Sequence, residues 1–327
     1  MRTCRIRIGV SVDSNRNEIV KEIIEESLAQ KGIEVDIFVC NTGDDLRKVD
    51  PEVIVGHQHD DVLNYLSFSG ESLKWLHVLT SGVDVLVNRL SSVGNAHKFR
   101  VSCSRGVHGI AMQEYVLSMM LFYSKNIALW QERKHHRAWH REPLSMLFQS
   151  QVLIFGTGEI GREVARICKF LEMNVEGISR SGRSFDYFDS VYPQECLLSR
   201  VPFADYIVVA APLTKETKGV FNHNVFNEIK KGCVLINVSR GEVIDEKALI
   251  VALKSGRLKG VALDAFNQEP LPEDSLLWSQ NNLIITPHIS GISPAGLERA
   301  IEIFSYNLES WLDNGSLPTE VFLERGY

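Results

Sequence analysis
The stretch Val152-Leu153-Ile154-Phe155-Gly156-Thr157-Gly158-Glu159-Ile160-Gly161 decides how this chain folds. Its first four residues read as a short apolar strand, and Gly156 to Gly161 spell GxGxxG. The following residues put Ile160, Val164, Ile167, Cys168 and Leu171 on one face of a helix. A glycine motif means little alone and much between a strand and a helix. The first glycine permits the tight turn, the second lets a pyrophosphate approach the backbone, and the third lets helix pack against strand. The helix N-terminus then offers unsatisfied N–H groups and a partial positive charge to an anion. Gly156, Gly158, Glu159, Ile160 and Gly161 are therefore candidate dinucleotide contacts, against the plainer reading of a tight βα turn.

Which dinucleotide is decided one strand later, in Val175-Glu176-Gly177-Ile178-Ser179. An NAD site wants a carboxylate there for the ribose 2′-hydroxyl. The position holds Ser179, followed by Arg180, Ser181 and Arg183, and Glu176 lies too early to substitute. Two guanidiniums and two hydroxyls suit a 2′-phosphate. NADP(H) is the expected cofactor, with NAD(H) admissible; the alternative is a solvated basic loop.

Outward from this unit the chain repeats strand and helix. Upstream, Arg5 to Val12 alternates as a strand, and Asn15 or Asn17 can cap a helix with the stripe Ile19, Val20, Ile23, Ile24, Leu28. Gly32 ends it before the strand Glu34–Cys40, and short apolar runs follow at Val53–Gly56, Trp75–Leu79 and Phe99–Cys103. A long helical pattern covers Ile110 to about Leu129, then a polar, aromatic, His-rich connection, Arg133 to Gln149. Downstream strands are expected at Val175–Ser179, Tyr206–Ala211, Cys233–Ser239, Gly260–Ala265 and Leu283–Thr286. Helices are expected at Glu159–Leu171, His223–Ile229, Glu246–Lys254 and Pro294–Leu312. The fold class is α/β: two doubly wound parallel sheets, Rossmann- or flavodoxin-like, with a cleft between them.

Composition agrees with that class. The 327 residues are 44% hydrophobic, more than one core usually holds. With Lys+Arg 35 against Asp+Glu 41 and no long basic run, a nucleic-acid or membrane-surface partner is not expected. No apolar stretch is long enough to span a bilayer, and the N-terminus carries no leader pattern. Six cysteines stand singly, without a CxxC pair, as packed thiols would in the cytoplasm.

Three downstream strands end in charged groups: Asn237-Val238-Ser239-Arg240-Gly241, Asp264-Ala265-Phe266-Asn267-Gln268-Glu269-Pro270, and Pro287-His288-Ile289-Ser290-Gly291. Doubly wound sheets place ligands at such ends. A cation, a carboxylate and an imidazole there suit reduction of a 2-oxo acid. Arg240 can clamp a carboxylate and polarise a carbonyl, and His288 can give the carbonyl oxygen its proton. Glu269 on the other ring nitrogen would favour the imidazolium. Singly, each has a bland alternative as a turn cap, a solvated residue or a loop histidine.

These residues, with Gly156–Gly161 and Pro212-Leu213-Thr214 followed by Thr217, resemble the D-isomer-specific 2-hydroxyacid dehydrogenases, most of all their NADP-dependent glyoxylate/hydroxypyruvate reductase branch. The resemblance spans nearly the whole chain. It implies the roles just given to Arg240, Glu269 and His288, and that Asp264 accepts from the nicotinamide carboxamide. It also implies a cofactor lining of Ala210, Ala211, Pro212, Thr217, Val238, Ser239, Arg240, His288 and Gly291. Leu79-Thr80-Ser81-Gly82-Val83-Asp84 resembles the family's substrate loop, whose N–H groups bind the substrate carboxylate, and a Ser-Gly turn after a strand agrees with an anion nest. Asp84 reads as a helix cap, and Glu114 as structural. The implied order is a substrate domain of residues 1–101 plus 293–327, and a dinucleotide domain of 102–292. Within the latter, 110–149 is a dimerisation arm whose Trp139 reaches the partner's substrate pocket. The implied assembly is a homodimer, acting on small 2-oxo and 2-hydroxy acids.

Two other functions use this scaffold. A nucleotide-sensing corepressor or adaptor usually adds tails, whereas only Gly315–Tyr327 follow the last expected helix. Short phosphoglycerate dehydrogenases favour NAD, which Ser179-Arg180 opposes. Walls such as Leu79, Trp139 and Met146 leave room for a bulkier 2-oxo acid than glyoxylate or hydroxypyruvate. His57-Gln58-His59-Asp60 has metal-donor spacing but no third ligand, and His135, His136 and His140 read as a solvated or interfacial cluster. No metal is expected.

Overall fold
The computed structural model describes residues 2–13, 15–67, 72–91 and 98–322, and leaves out the side chains of 2–5, 84, 85, 88 and 91. The Asp84 cap and residues 323–327 of the C-terminal end thus lie outside the described residues. The chain divides into two compact units, residues 1–108 with 293–327, and residues 109–292.

The first unit is built on five strands: β1 (Arg2–Ser11), β2 (Ile33–Val39), β3 (Val53–Gly56), β4 (Trp75–Val78) and β5 (Arg100–Cys103). All are parallel, in the order β2-β1-β3-β4-β5. Helices α1 (Asn17–Gln30), α2 (Gly43–Val49), α3 (Asp60–Ser67) and α4 (Asp84–Ser91) connect them. The C-terminal helix Gly296–Asn314 returns to pack Phe304 and Leu308 against Ile8, Val10 and Trp75 of the sheet. β3 and β4 read apolar at nearly every position because both faces of a parallel sheet are covered.

The second unit opens with α5 (Gly109–Ser124) and α6 (Ile127–His135). Next come β6 (Gln151–Phe155), α7 (Glu159–Phe170), β7 (Asn174–Ser179), β8 (Ser190–Pro193), α8 (Leu197–Arg200) and β9 (Tyr206–Val209). It closes with α9 (His223–Glu228), β10 (Cys233–Asn237), α10 (Glu246–Lys254), β11 (Leu258–Leu263) and β12 (Leu283–Ile285). The seven strands run parallel in the order β12-β11-β10-β9-β6-β7-β8. The order reverses between β6 and β9 in this unit and between β1 and β3 in the first, the places where such sheets receive ligands. Two parallel α/β sheets, the expected class, are what the chain forms.

Local expectations depart in three places. Neither Asn15 nor Asn17 caps α1 through its side chain; the cap is Arg16, and Asn17 instead accepts from the Val12 N–H at 2.6 Å, tying the end of β1 to the helix. The helix expected from Ile110 to Leu129 breaks at Lys125–Asn126, where Asn126 takes a left-handed φ of 50°. The Trp130 indole donates to the Lys125 carbonyl at 2.7 Å and bridges the break. β8 was not expected: four half-buried or exposed residues at a sheet edge leave no apolar run to read.

Candidate active site
The glycine loop divides its labour along the chain. Gly156 has φ of 107°, and a Cβ there would lie 2.5 Å from the Ala211 nitrogen, because the end of β9 crosses directly over the turn. A Cβ on Gly161 would lie 1.9 Å from the Gly156 carbonyl oxygen. Both glycines are required by the protein's own packing. Gly158 differs: it caps α7 with an ordinary φ of −70°, no side chain caps that helix end, and a Cβ would meet no atom within 4 Å. The fold leaves space above a helix start that no side chain caps, which fits a phosphate. Glu159 and Ile160 form the first turn behind it. The segment after β9 follows the same edge. Ala210 donates its N–H to the Phe155 carbonyl at 2.8 Å, Ala211 is buried, and Thr217 donates to the Pro212 carbonyl at 2.7 Å, holding the 212–217 turn closed.

At the end of β7, the Ser179 hydroxyl accepts from the Gly182 N–H at 3.0 Å, and Ser181 Oγ accepts from Arg183 N at 3.4 Å. Arg180 and Arg183 are exposed, and the Arg183 guanidinium lies 5.5 Å from the Phe185 ring centre. Glu176, the only carboxylate in the strand, pairs with Arg200, whose Nε lies 2.9 Å from Oε2. It is therefore occupied away from the strand end. The Thr214 hydroxyl, then the backbone, hold the exposed Glu216 carboxyl below its usual range, with Lys215 and last Arg180 adding.

Arg240, Glu269 and His288 come from three neighbouring strands. Asn237 ends β10 and shapes the turn: Oδ1 accepts from Ser239 N (3.0 Å) and Oγ (2.9 Å), and Nδ2 donates to the Arg240 carbonyl at 3.0 Å. Val238 and Ser239 are buried and Arg240 is half-buried. A Cβ on Gly241 would lie 1.9 Å from Phe266 C, so this glycine lets the Arg240 turn lie against the loop carrying Glu269. Glu269 is held at both ends. Oε1 accepts from Phe266 N at 3.0 Å, and Oε2 lies 2.9 Å from His288 Nδ1. His288 has φ of 55° and makes no described hydrogen bond through Nε2.

Asp264 is buried and fastens the His288 loop. Its Oδ1 accepts from the Thr286 hydroxyl (2.6 Å) and Ile289 N (2.9 Å), and its Oδ2 accepts from Ser290 N (2.9 Å). These three bonds are work within the loop, beside any bond to a carboxamide. Tyr115 of α5 joins the chain, its hydroxyl 2.7 Å from Thr286 Oγ1. Thr286 donates to Asp264, so Tyr115 donates to Thr286. Burial pushes the Tyr115 phenol up to about 12, with the Asp264 charge adding, so it stays a donor at neutral pH. Sequence reading gave Tyr115 and Thr286 no role, since 171 residues separate them and no local pattern links them. Gly291 follows the loop, half-buried. Glu114 is exposed, whereas its neighbour Gln113 is buried and accepts from Arg166 at 2.9 Å.

In the first unit, the N–H groups of Thr80, Ser81, Gly82 and Val83 have no acceptor among the described residues. The carbonyls of Thr80, Gly82 and Val83 are engaged within the unit, so the loop after Leu79 has more open N–H groups than open carbonyls. In the arm, Trp130 packs on its own helix under Arg133, while Trp139 is 89% exposed. His135, His136 and His140 are exposed. Among the described residues no three His, Cys, Asp or Glu side chains converge as metal ligands.

A family model for the D-isomer specific 2-hydroxyacid dehydrogenase NAD binding domain matches residues 117–290. The glyoxylate/hydroxypyruvate reductase A of Salmonella paratyphi B is 30% identical over 267 residues, 79% of this chain and 83% of the relative. The crystal structure of a D-isomer specific 2-hydroxyacid dehydrogenase family protein from Aeromonas salmonicida superposes with TM-score 0.84 at 31% identity, over 97% of this chain and 99% of that one. The NADPH-dependent glyoxylate/hydroxypyruvate reductase of Sinorhizobium meliloti, solved with NADP and sulfate, shares the fold at TM-score 0.80 and 22% identity, over 99% and 100%. With a family model covering more than half its length and a relative this similar along most of it, the chain belongs to the D-isomer specific 2-hydroxyacid dehydrogenase family.

Proposed function
We propose that this protein reduces a small 2-oxo acid to the D-2-hydroxy acid with NADPH, and catalyses the reverse. The observation that carries the reading is the Glu269–His288 pair, 2.9 Å from Oε2 to Nδ1, with the other carboxylate oxygen anchored to Phe266 N. A carboxylate at Nδ1 accepts the proton held there and leaves Nε2 for the substrate: protonated, it would give the carbonyl oxygen its proton, and bare, it would take the proton back from the hydroxyl. Arg240, turned by Asn237, binds the substrate carboxylate or carbonyl through its fork of donors. The N–H groups of the loop Leu79, Thr80, Ser81 and Gly82 would bind the substrate carboxylate.

NADPH supplies the hydride when bound, and the space over Gly158 with the uncapped start of α7 fits its pyrophosphate. Ser179, Arg180, Ser181 and Arg183 would hold the 2′-phosphate. Ala210–Pro212, Thr217, Val238, Ser239 and Gly291 would line the remainder, with Asp264 facing the carboxamide. The Sinorhizobium meliloti and Salmonella paratyphi B reductases support both the cofactor and a glyoxylate- or hydroxypyruvate-sized substrate.

The same reading makes residues 1–101 plus 293–327 the substrate domain and 102–292 the cofactor domain. The arm, 110–149, would join a homodimer. Exposed Trp139, Met146 and Phe148 support that contact, with Trp139 reaching the partner's substrate. Four of the five described cysteines are buried, which suits the cytoplasm. No helix among the described residues is long and apolar enough to cross a membrane.

The test follows NADPH, and separately NADH, against glyoxylate, hydroxypyruvate, pyruvate, 2-oxoisocaproate and phenylpyruvate by absorbance. Rapid NADPH oxidation with the small polar acids is expected. Protein that binds NADPH yet oxidises it with none of them would instead be a nucleotide sensor or adaptor.

A further inference from the structure
The loop after β4 owes its orientation at Gly82 to a side chain from the loop after β3. β3 ends at Gly56, where a Cβ would lie 1.8 Å from the Ser11 carbonyl oxygen, and the chain leaves the sheet edge as His57-Gln58-His59. His59 turns back to β1, with Nε2 3.1 Å from Ser11 Oγ. Gln58 goes the other way. Its Nε2 donates to the Gly82 carbonyl at 2.5 Å, and its Oε1 accepts from the Leu86 N–H, in the first turn of α4, at 2.8 Å. The amide orientation is unambiguous, because a carbonyl can only accept and an N–H can only donate.

The consequence follows from peptide planarity. In a trans peptide the C=O and the next N–H point opposite ways. With the Gly82 carbonyl held by Gln58 and by Thr80 Oγ1 (3.2 Å), the Val83 N–H points away from β3. The Thr80 carbonyl accepts from Ser104 N at 3.2 Å on the β5 side, which turns the Ser81 N–H the other way. The Val83 N–H, which has no acceptor among the described residues, is thereby set as a donor for a carboxylate seated on this loop.

We infer that Gln58 is the positioning residue of this carboxylate seat, setting the Gly82–Val83 peptide and the start of α4 in register with one amide. The inference rests on the proposed function in taking the seat's ligand to be the carboxylate of a 2-oxo acid. Gln58 touches no substrate; it acts through the loop.

Gln58→Met keeps the length and removes both bonds. With two hydrogen bonds behind the seat, the KM for glyoxylate should rise about tenfold or more while kcat stays within about threefold, a loss of ground-state binding. The Kd for NADPH, a property of the other unit, should not change. Gln58→Glu keeps the acceptor for Leu86 N and loses the donor to Gly82, so it should show the same KM rise and serves if Gln58→Met fails to fold. A folded variant of either kind with a KM within twofold of the parent overturns the inference. If the parent protein reduces no 2-oxo acid, oxamate binding by calorimetry decides. Weakening of about tenfold in the variants upholds the seat although the proposed reaction falls. Equal binding, or none to the parent, overturns it.

Discussion

Gly158→Ala separates what the fold needs from what a cofactor needs. A methyl there meets nothing of the protein within 4 Å, and the backbone is not left-handed, so native packing is undisturbed. The expected stability cost is only that of exchanging a glycine helix cap for alanine, about 0.5–1 kcal/mol. For a unit of this size that lowers Tm by roughly 2–4 °C or less. The methyl instead occupies the space over the first turn of α7. Pushing a pyrophosphate off two charge-assisted N–H contacts, at about 1.5–3 kcal/mol each, removes about 3–6 kcal/mol of binding. The NADPH Kd should then rise by about 10²–10⁴ at 1.4 kcal/mol per decade. Gly161→Ala makes the contrast, since its Cβ would stand 1.9 Å from the Gly156 carbonyl oxygen and must disrupt folding itself. NADPH fluorescence titration beside thermal unfolding reads both quantities on the same protein. Gly158→Ala that binds NADPH within about threefold of the parent would refute the assignment of that space, whatever its Tm.

Three further outcomes follow from the geometry. His288→Gln should lower kcat by about 10²–10⁴, the usual worth of a positioned proton donor, and leave the NADPH Kd nearly unchanged; surviving turnover would place the donor elsewhere. Arg180→Ala, at an exposed position, should raise the KM for NADPH at least about tenfold and barely move that for NADH, and an equal effect on both would remove the 2′-phosphate reading. His77 is fully buried, with Nδ1 2.7 Å from Ser102 Oγ and Nε2 3.1 Å from Ser104 Oγ. Burial lowers it from 6.5 to about 3. The folded protein keeps it neutral while the unfolded chain takes up a proton below about pH 6.5. Its contribution is therefore complete above pH 6.5 and lost as pH falls toward 3, at up to about 1.4 kcal/mol per pH unit. Urea unfolding at pH 7, 5 and 4 should show that slope, flattened in His77→Gln; parallel curves would contradict it.

Much of the site could be read before any coordinate, because its signals are local. The turn at Gly156 must follow a strand and precede a helix, so the flanking periodicity exposes it. Ser179-Arg180 is legible for the same reason, standing at the end of the next strand. Arg240, Glu269 and His288 each follow an apolar run by a few residues. Helix ends were less legible: Asn17 looks like a cap by type, but the open N–H of Val12 drew its side chain instead. β8 had no apolar alternation to announce it, since an edge strand needs burial on neither face.

What the sequence determined by itself is the alternation of strands and helices, the glycine turn and the kinds of group at the strand ends, all set by patterns within about ten residues. Tertiary structure alone decided which of those groups act on one another. Asp264 could be placed at a strand end, but its three bonds to the 286–290 loop exist only because β11 and β12 are neighbours in the sheet. Tyr115 reaches Thr286, and Gln58 reaches Gly82 and Leu86, across separations that no periodicity encodes. Gly158 and Gly161 are the same letter three places apart, and only the atoms around each show that one serves the fold and the other leaves space. Hydrogen bonds and close contacts are short-range in space and indifferent to distance along the chain, so they are settled only when the sheets assemble.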